Sequence, residues 1–194
     1  MGEVISRDAL VAVVADRQRG GARAVCTNGV FDLLHLGHVT YLQHARALGD
    51  LLVVGLNSDA STRRLKGPRR PLAPQDERAA VLAALGRVDY VTIFDEPTAA
   101  PLLAALRPAV YAKGADYAGG AGQRDYLLTP DELRRVLAGE TTAYPELAGL
   151  AERLSEARTV AEYGGSLALL AYLPSHSTTE LIERILRAYE GRHE

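Results

Sequence analysis

His35 and His38 are two imidazoles three residues apart, with Gly37 between them. They follow the apolar run 24–26 and a polar turn, Thr27-Asn28-Gly29, and they precede a helical pattern. Each residue type offers something to an anion. Imidazoles donate hydrogen bonds near neutral pH. Glycine lets a ligand approach the backbone closely. A helix N-terminus presents unpaired N–H groups and the positive end of the helix dipole. Together they describe a site for a nucleoside triphosphate. Either histidine alone would equally well be a satisfied polar residue at a core edge. The pair in a strand–turn–helix context is what points to chemistry.

The elements that position this turn can be traced along the chain. Residues 7–18 form a helix, with Leu10, Val11 and Val14 on one stripe. The first strand is expected over 22–27 and the next helix over 39–48, with Gly49 as its C′ glycine. Residues 51–56 form an almost unbroken apolar run, expected of a strand covered on both faces. Asn57-Ser58-Asp59 caps a short helix. A basic stretch, 63–71, then becomes a loop at Gly67-Pro68. Pro74 opens a helix, 88–94 is the third strand, and Thr98 caps a helix to about 106. The fourth strand, 109–112, leads into Lys113-Gly114-Ala115-Asp116-Tyr117.

Residues 123–158 change character and form a helical insertion. One helix starts at the capping box Thr129-Pro130-Asp131-Glu132, and a second spans 145–157. Gly164-Gly165 turns into a fifth strand, 167–173. Ser177-Thr178-Thr179-Glu180 opens the last helix, with Leu181, Ile182, Ile185 and Leu186 as its buried face.

Alternating strands and helices predict an α/β, Rossmann-like open parallel five-stranded sheet, helices on both faces, and the insertion before the last strand. Ligands bind such sheets at the strand C-terminal ends. The histidine pair, Asn57 to Asp59, Lys113 to Asp116, and Ser177 to Thr179 all follow strands, so all four reach one edge. No G-x-G-x-x-G and no P-loop signature is present, which disfavours a dinucleotide dehydrogenase or a P-loop enzyme.

Composition narrows the class. The 194 residues suit one domain, 1–194, with 47% hydrophobic and 24% charged residues. A net charge of −2 implies no nucleic-acid or membrane attraction. With no membrane-length apolar run and no signal-peptide pattern, a cytoplasmic location is expected. The single cysteine, Cys26, is a small core residue and cannot form an intrachain disulfide. No Cys/His zinc pattern exists, and no protein metal site is expected.

The run Thr27-Asn28-Gly29-Val30-Phe31-Asp32-Leu33-Leu34-His35-Leu36-Gly37-His38 resembles the signature of the H-x-G-H nucleotidyltransferase superfamily, in its cytidylyltransferase-like branch. Asn57-Ser58-Asp59, Arg64-Leu65-Lys66-Gly67, the helix carrying Arg78, Lys113-Gly114-Ala115-Asp116-Tyr117 and Ser177-Thr178-Thr179 continue it in order. The match looks strongest to the adenylyltransferases of ADP-heptose synthesis and weaker to the glycerol-3-phosphate cytidylyltransferases. It covers 5–117 and 160–190 but not 123–158. Ser175 stands where the family usually has glycine.

The resemblance implies transfer of a nucleoside monophosphate from ATP or CTP, with ATP favoured, to a phosphorylated sugar or polyol such as heptose 1-phosphate. His35, His38, Lys66 and Ser177 are the implied catalytic residues. Thr27, Asn28, Gly29, Val30, Phe31, Gly37, Asn57, Asp59, Arg78, Lys113, Gly114, Asp116, Thr178 and Thr179 would bind the nucleotide. Asp32 would hold the acceptor or orient a donor, or serve as a turn residue. Mg²⁺ would ride on the phosphates, and relatives are often homodimers. The rivals are a cytidylyltransferase acting on glycerol 3-phosphate and a nucleotide-binding module without turnover. A class I aminoacyl-tRNA synthetase fragment ranks low, for lack of a basic face and a tRNA-binding domain.

Overall fold

The computed structural model describes residues 1–119, 124–171, 173, 176 and 178–189. Its strands are β1 (Glu3–Val4), β2 (Ala24–Gly29), β3 (Leu51–Asn57), β4 (Tyr90–Phe94), β5 (Val110–Gly114), β6 (Tyr126–Leu128) and β7 (Ser166–Leu170). They form one sheet in the order β1-β4-β3-β2-β5-β7-β6. The helices are α1 (Arg7–Arg19), α2 (Leu36–Arg46), α3 (Asp59–Lys66), α4 (Gln75–Ala84), α5 (Ala100–Leu106), α6 (Pro130–Leu137), α7 (Leu150–Arg153), α8 (Glu156–Tyr163) and α9 (Thr178–Tyr189).

The Rossmann-like parallel architecture is as expected, but the sheet has seven strands among the described residues, not five. The two additions are edge strands. β1 pairs parallel with β4 through two residues, and β6 pairs antiparallel with β7 through three. Segments this short carry no readable period.

The central strands are buried on both faces, which explains their unbroken apolar runs. Ala24, Cys26, Leu51 and Val53 face a core closed by α1, α5, α6 and α8. Val25, Leu52, Val54 and Leu56 face the other way, against α2 and α4. The apolar residues of the insertion, Leu133, Leu147, Leu150 and Leu154, join the first of these cores. Burial pushes the Cys26 thiol up to about 12, as suits an inert core residue.

Four expectations need correcting. α2 starts at Leu36, so Gly37 and His38 lie inside its first turn, and it ends at Arg46. Gly49 is not a left-handed cap: a Cβ there would strike the carbonyl of Arg23, so close packing is what demands glycine. The helix expected over 145–157 is broken into a 3₁₀ turn (Pro145–Leu147), α7 and α8. Gly149, at φ 72°, and the extended Leu154 interrupt it. On α9 no residue is buried, and Ile185 and Leu186 are 45% and 58% exposed. Amphipathic spacing marks an apolar stripe but cannot say what covers it.

Candidate active site

The strand order reverses at β2, which lies between β3 and β5. β2 runs with β3 over six residue pairs but with β5 over only two, Val25–Val110 and Cys26–Tyr111. Beyond Cys26 the two strands part, and a cleft opens at their C-terminal ends, where ligands bind in open α/β sheets.

The cleft has two lobes, of about 690 and 680 Å³. Asn28, Phe31, His38, Lys66, Lys113 and Thr178 line both. The first lobe adds Asp32, Asn57, Arg70, Thr98 and Glu156. The second adds His35, Gly37, Tyr41, Gly114 and Asp116. Gly29, Val30 and Thr179 also face both lobes. The features following β2, β3, β5 and β7 therefore meet as expected. Ser177 lies outside the described residues.

α2 aims its N-terminus at the second lobe. Its N-cap residue, His35, is extended and makes no side-chain cap hydrogen bond, unlike Ser58 and Thr129 at α3 and α6. The His38 N–H turns back to the His35 carbonyl at 3.0 Å, and among the described residues no side-chain cap answers the Leu36 and Gly37 N–H groups. Gly37 is dictated by crowding, since a Cβ would come within 2.9 Å of the His176 carbonyl oxygen and 3.0 Å of the His35 ring.

The rings of His35 and His38 stack with centroids 3.9 Å apart, and Phe31 tilts against His38 at 5.3 Å. Phe31 reaches this position with a left-handed backbone, φ 45°, which a bulky residue rarely adopts. Both Nδ1 atoms are buried and make no hydrogen bond among the described residues. Burial, then the charge of His35, holds His38 down at about 4. His35 is lowered by burial and by His176. The pair is therefore neutral at pH 7, and each neutral ring still carries one N–H donor.

Lys113 joins the lobes. Its ammonium donates to the backbone oxygen and Oδ1 of Asn28, both at 3.4 Å, and sits 5.1 Å from the centre of the Tyr117 ring. Tyr111, wholly buried in β5, donates its hydroxyl to the same Oδ1 at 2.6 Å and so fixes the Asn28 rotamer. Burial lowers the Lys113 pKa, while Glu156 and Asp116 act to keep it charged.

Other expected residues hold the site without lining it. Arg78 is 2% exposed and gives four of its five guanidinium N–H groups to protein acceptors: Ala73 O at 2.9 Å, Val30 O at 2.5 Å, Asn57 O at 3.0 Å and Asp59 Oδ1 at 2.7 Å. It ties the loops after β2 and β3 to the start of α4. Neither Arg78 nor Asp59 reaches the two lobes. Thr27 is fully buried, its hydroxyl 2.7 Å from that of Tyr41.

Asp32 lines the first lobe but is heavily engaged. It accepts from the amides of Leu72, at 2.8 and 3.0 Å, and Ala73, at 3.1 Å, and pairs with Arg70 at 3.1 Å. It thereby secures the basic loop after α3. Arg70, Tyr111, Thr98 and Glu156 were not anticipated. Arg70 lay in a visible basic run, but Tyr111 read as plain core and Glu156 belonged to no motif.

The family profile described as Cytidylyltransferase-like matches residues 26–184. The chain is 46% identical, over 96% of its length, to the Bifunctional protein HldE of Geobacter sulfurreducens, of which it covers 32%. It is 47% identical, over 95% of its length, to the Bifunctional protein HldE of Syntrophotalea carbinolica, covering 31% of that protein. The chain thus spans about a third of the length of these curated relatives. A crystal structure of the lipopolysaccharide core biosynthesis protein from Thermoplasma volcanium is 35% identical, with a TM-score of 0.46 over 50% of this chain and 77% of that one.

Proposed function

The chain belongs to the cytidylyltransferase-like family, and from that premise we propose that it transfers AMP from ATP to the phosphate of a sugar phosphate, heptose 1-phosphate, releasing pyrophosphate. The observation that carries this is the stacked, neutral His35–His38 pair at the uncapped start of α2, facing Lys113 across the splayed β2–β5 edge. Those are hydrogen-bond donors and a cation gathered where a triphosphate would lie.

The acceptor phosphate is largely dianionic at pH 7 and needs no base to become a nucleophile. One of its oxygens forms a bond to the α-phosphorus of ATP. The bond from that phosphorus to the bridging oxygen breaks, and the electron pair leaves with pyrophosphate. The protein's task is positioning and charge stabilisation. His35 and His38 donate to the phosphoryl oxygens as charge grows, and the first-turn amides of α2 support the same oxygens. Lys113 holds the α-phosphate between nucleotide and acceptor. Lys66 closes from the end of α3, Arg70 faces the acceptor phosphate, and Thr178 and Thr179 meet the outer phosphates.

Asn28 and the backbone of Gly29 to Phe31 form the floor. Asp32 acts through Arg70 and its loop. Asn57 lines the first lobe, and Asp59 and Arg78 shape the cleft from behind. Gly114 and Asp116 border the base and ribose. Mg²⁺, carried in on the triphosphate, would supply charge neutralisation there. Oxygen-bearing side chains on the cleft wall, Asp116 and Thr178 among them, suit a hard cation that arrives on the phosphates.

Pyrophosphate release tests the proposal, with ATP and CTP crossed against heptose 1-phosphate and glycerol 3-phosphate. Turnover is expected with ATP and the heptose. Turnover confined to CTP and glycerol 3-phosphate would overturn it.

A further inference from the structure

Glu156 is the first residue of α8, inside the insertion, and only 9% exposed. Its neighbours Leu154 and Ala157 are core residues. A carboxylate is seldom buried without partners that compensate its lost hydration. Two are present, both at the long end of the hydrogen-bond range. Oε1 accepts from the Ala99 amide, at the start of α5, at 3.2 Å, and Oε2 accepts from the Ser155 hydroxyl at 3.2 Å. An ionised carboxylate offers about four acceptor positions, so among the described residues about two remain.

Those positions belong to a residue of the first lobe only. Glu156 borders the same space as Lys66, Arg70 and Lys113 but does not reach the lobe of His35 and Gly37. Its charge acts on the Lys113 ammonium. The lobe thus combines cations suited to a phosphate with a buried acceptor suited to hydroxyl groups. A sugar or polyol phosphate carries both features in one molecule.

We propose that Glu156 determines acceptor specificity: its carboxylate accepts hydrogen bonds from hydroxyl groups of the acceptor, whose phosphate lies against Lys66, Arg70 and Lys113. This rests on the first lobe being the acceptor side of the proposed reaction. It also gives the insertion a purpose, since α8 carries the residue that meets the sugar.

The test compares wild type with Glu156→Gln by titration calorimetry, using heptose 1-phosphate, glycerol 3-phosphate and inorganic phosphate, each with a non-hydrolysable ATP analogue present. Glutamine keeps an oxygen for the Ala99 amide, so α5 stays anchored. Loss of a charged hydrogen bond should weaken the hydroxylated ligand by roughly 10- to 100-fold. Inorganic phosphate, which has no carbon-borne hydroxyl, should bind the variant at least as well as the wild type. In turnover, KM for the acceptor should rise while KM for ATP stays put. Equal losses for sugar phosphate and inorganic phosphate would overturn the proposal and make Glu156 a positioning residue for Lys113. No loss for either would overturn it too.

If Glu156→Gln unfolds, deoxy analogues of the acceptor titrated into wild type probe the same contact, and unchanged affinity for all of them refutes it. Wild type that binds no hydroxylated phosphate more tightly than inorganic phosphate also refutes it. Because these are binding measurements, they stand apart from whether pyrophosphate is released.

Discussion

His35 and His38 lie ring on ring, centroids 3.9 Å apart and planes 30° apart, with both Nδ1 atoms buried. Burial lowers both pKa values, His38 to about 4, so the stack is a neutral pair at pH 7. A neutral donor pair is well matched to a reaction whose charge is already carried by the phosphates. If His38 stabilises the transition state, His38→Ala lowers kcat by about 10²- to 10³-fold with the fold intact. Steady-state pyrophosphate release checks this, and near-normal turnover would remove His38 from the mechanism.

The same stack sets a pH dependence. Folded His38 takes its proton only near about 4, against a usual 6.5. Above about 6.5 neither folded nor unfolded His38 is protonated, and its contribution to stability is complete. As pH falls from 6.5 towards 4 the unfolded chain binds the proton first, and that contribution is lost. The lowered His35 acts in the same direction. Thermal melts from pH 7 to 4 should therefore show Tm falling more steeply in wild type than in His38→Gln, which has no proton to take up there. Parallel curves would contradict the burial of this ring.

Arg78 gives four of its five guanidinium N–H groups to Ala73, Val30, Asn57 and Asp59. Arg78→Ala leaves Asp59 and three carbonyl oxygens without their donor, a loss of roughly 3–5 kcal/mol for a buried pair. Urea denaturation measures it. Were Arg78 a direct nucleotide contact instead, KM for ATP would rise and the denaturation midpoint would hardly move.

Asp32 secures the basic loop through the Leu72 and Ala73 amides and the Arg70 ion pair. Asp32→Asn keeps one acceptor oxygen but loses the charge. Hydrogen exchange at those two amides should accelerate by roughly tenfold, the equivalent of one weakened charged hydrogen bond. An unchanged exchange rate would show that the loop is held by something else.

Much of this was legible in residue order alone. The apolar runs of β2 and β3 read as strands because burial on both faces leaves no polar alternation. The capping box at Thr129 and the serine cap at Ser58 announce α6 and α3, because a side-chain oxygen there must answer an unpaired N–H. The His35-Leu36-Gly37-His38 turn and Lys113 were visible because their chemistry resides in residue type and in position after a strand.

What lay beyond the sequence depends on contacts between distant segments. β1 and β6 exist only by pairing with β4 and β7, so two or three residues of either say nothing in isolation. Arg78 looks like any helix arginine until the loops after β2 and β3 close on it. Glu156 looks like a solvated helix residue until α8 carries it against Ala99 and into the cleft beside Lys113. Local order determined the elements and the reactive residue types, since propensity, capping and burial period act over a few neighbours. Which charges face substrate and which are spent holding loops was decided by the tertiary structure, because burial and hydrogen-bond saturation depend on residues far apart in the chain.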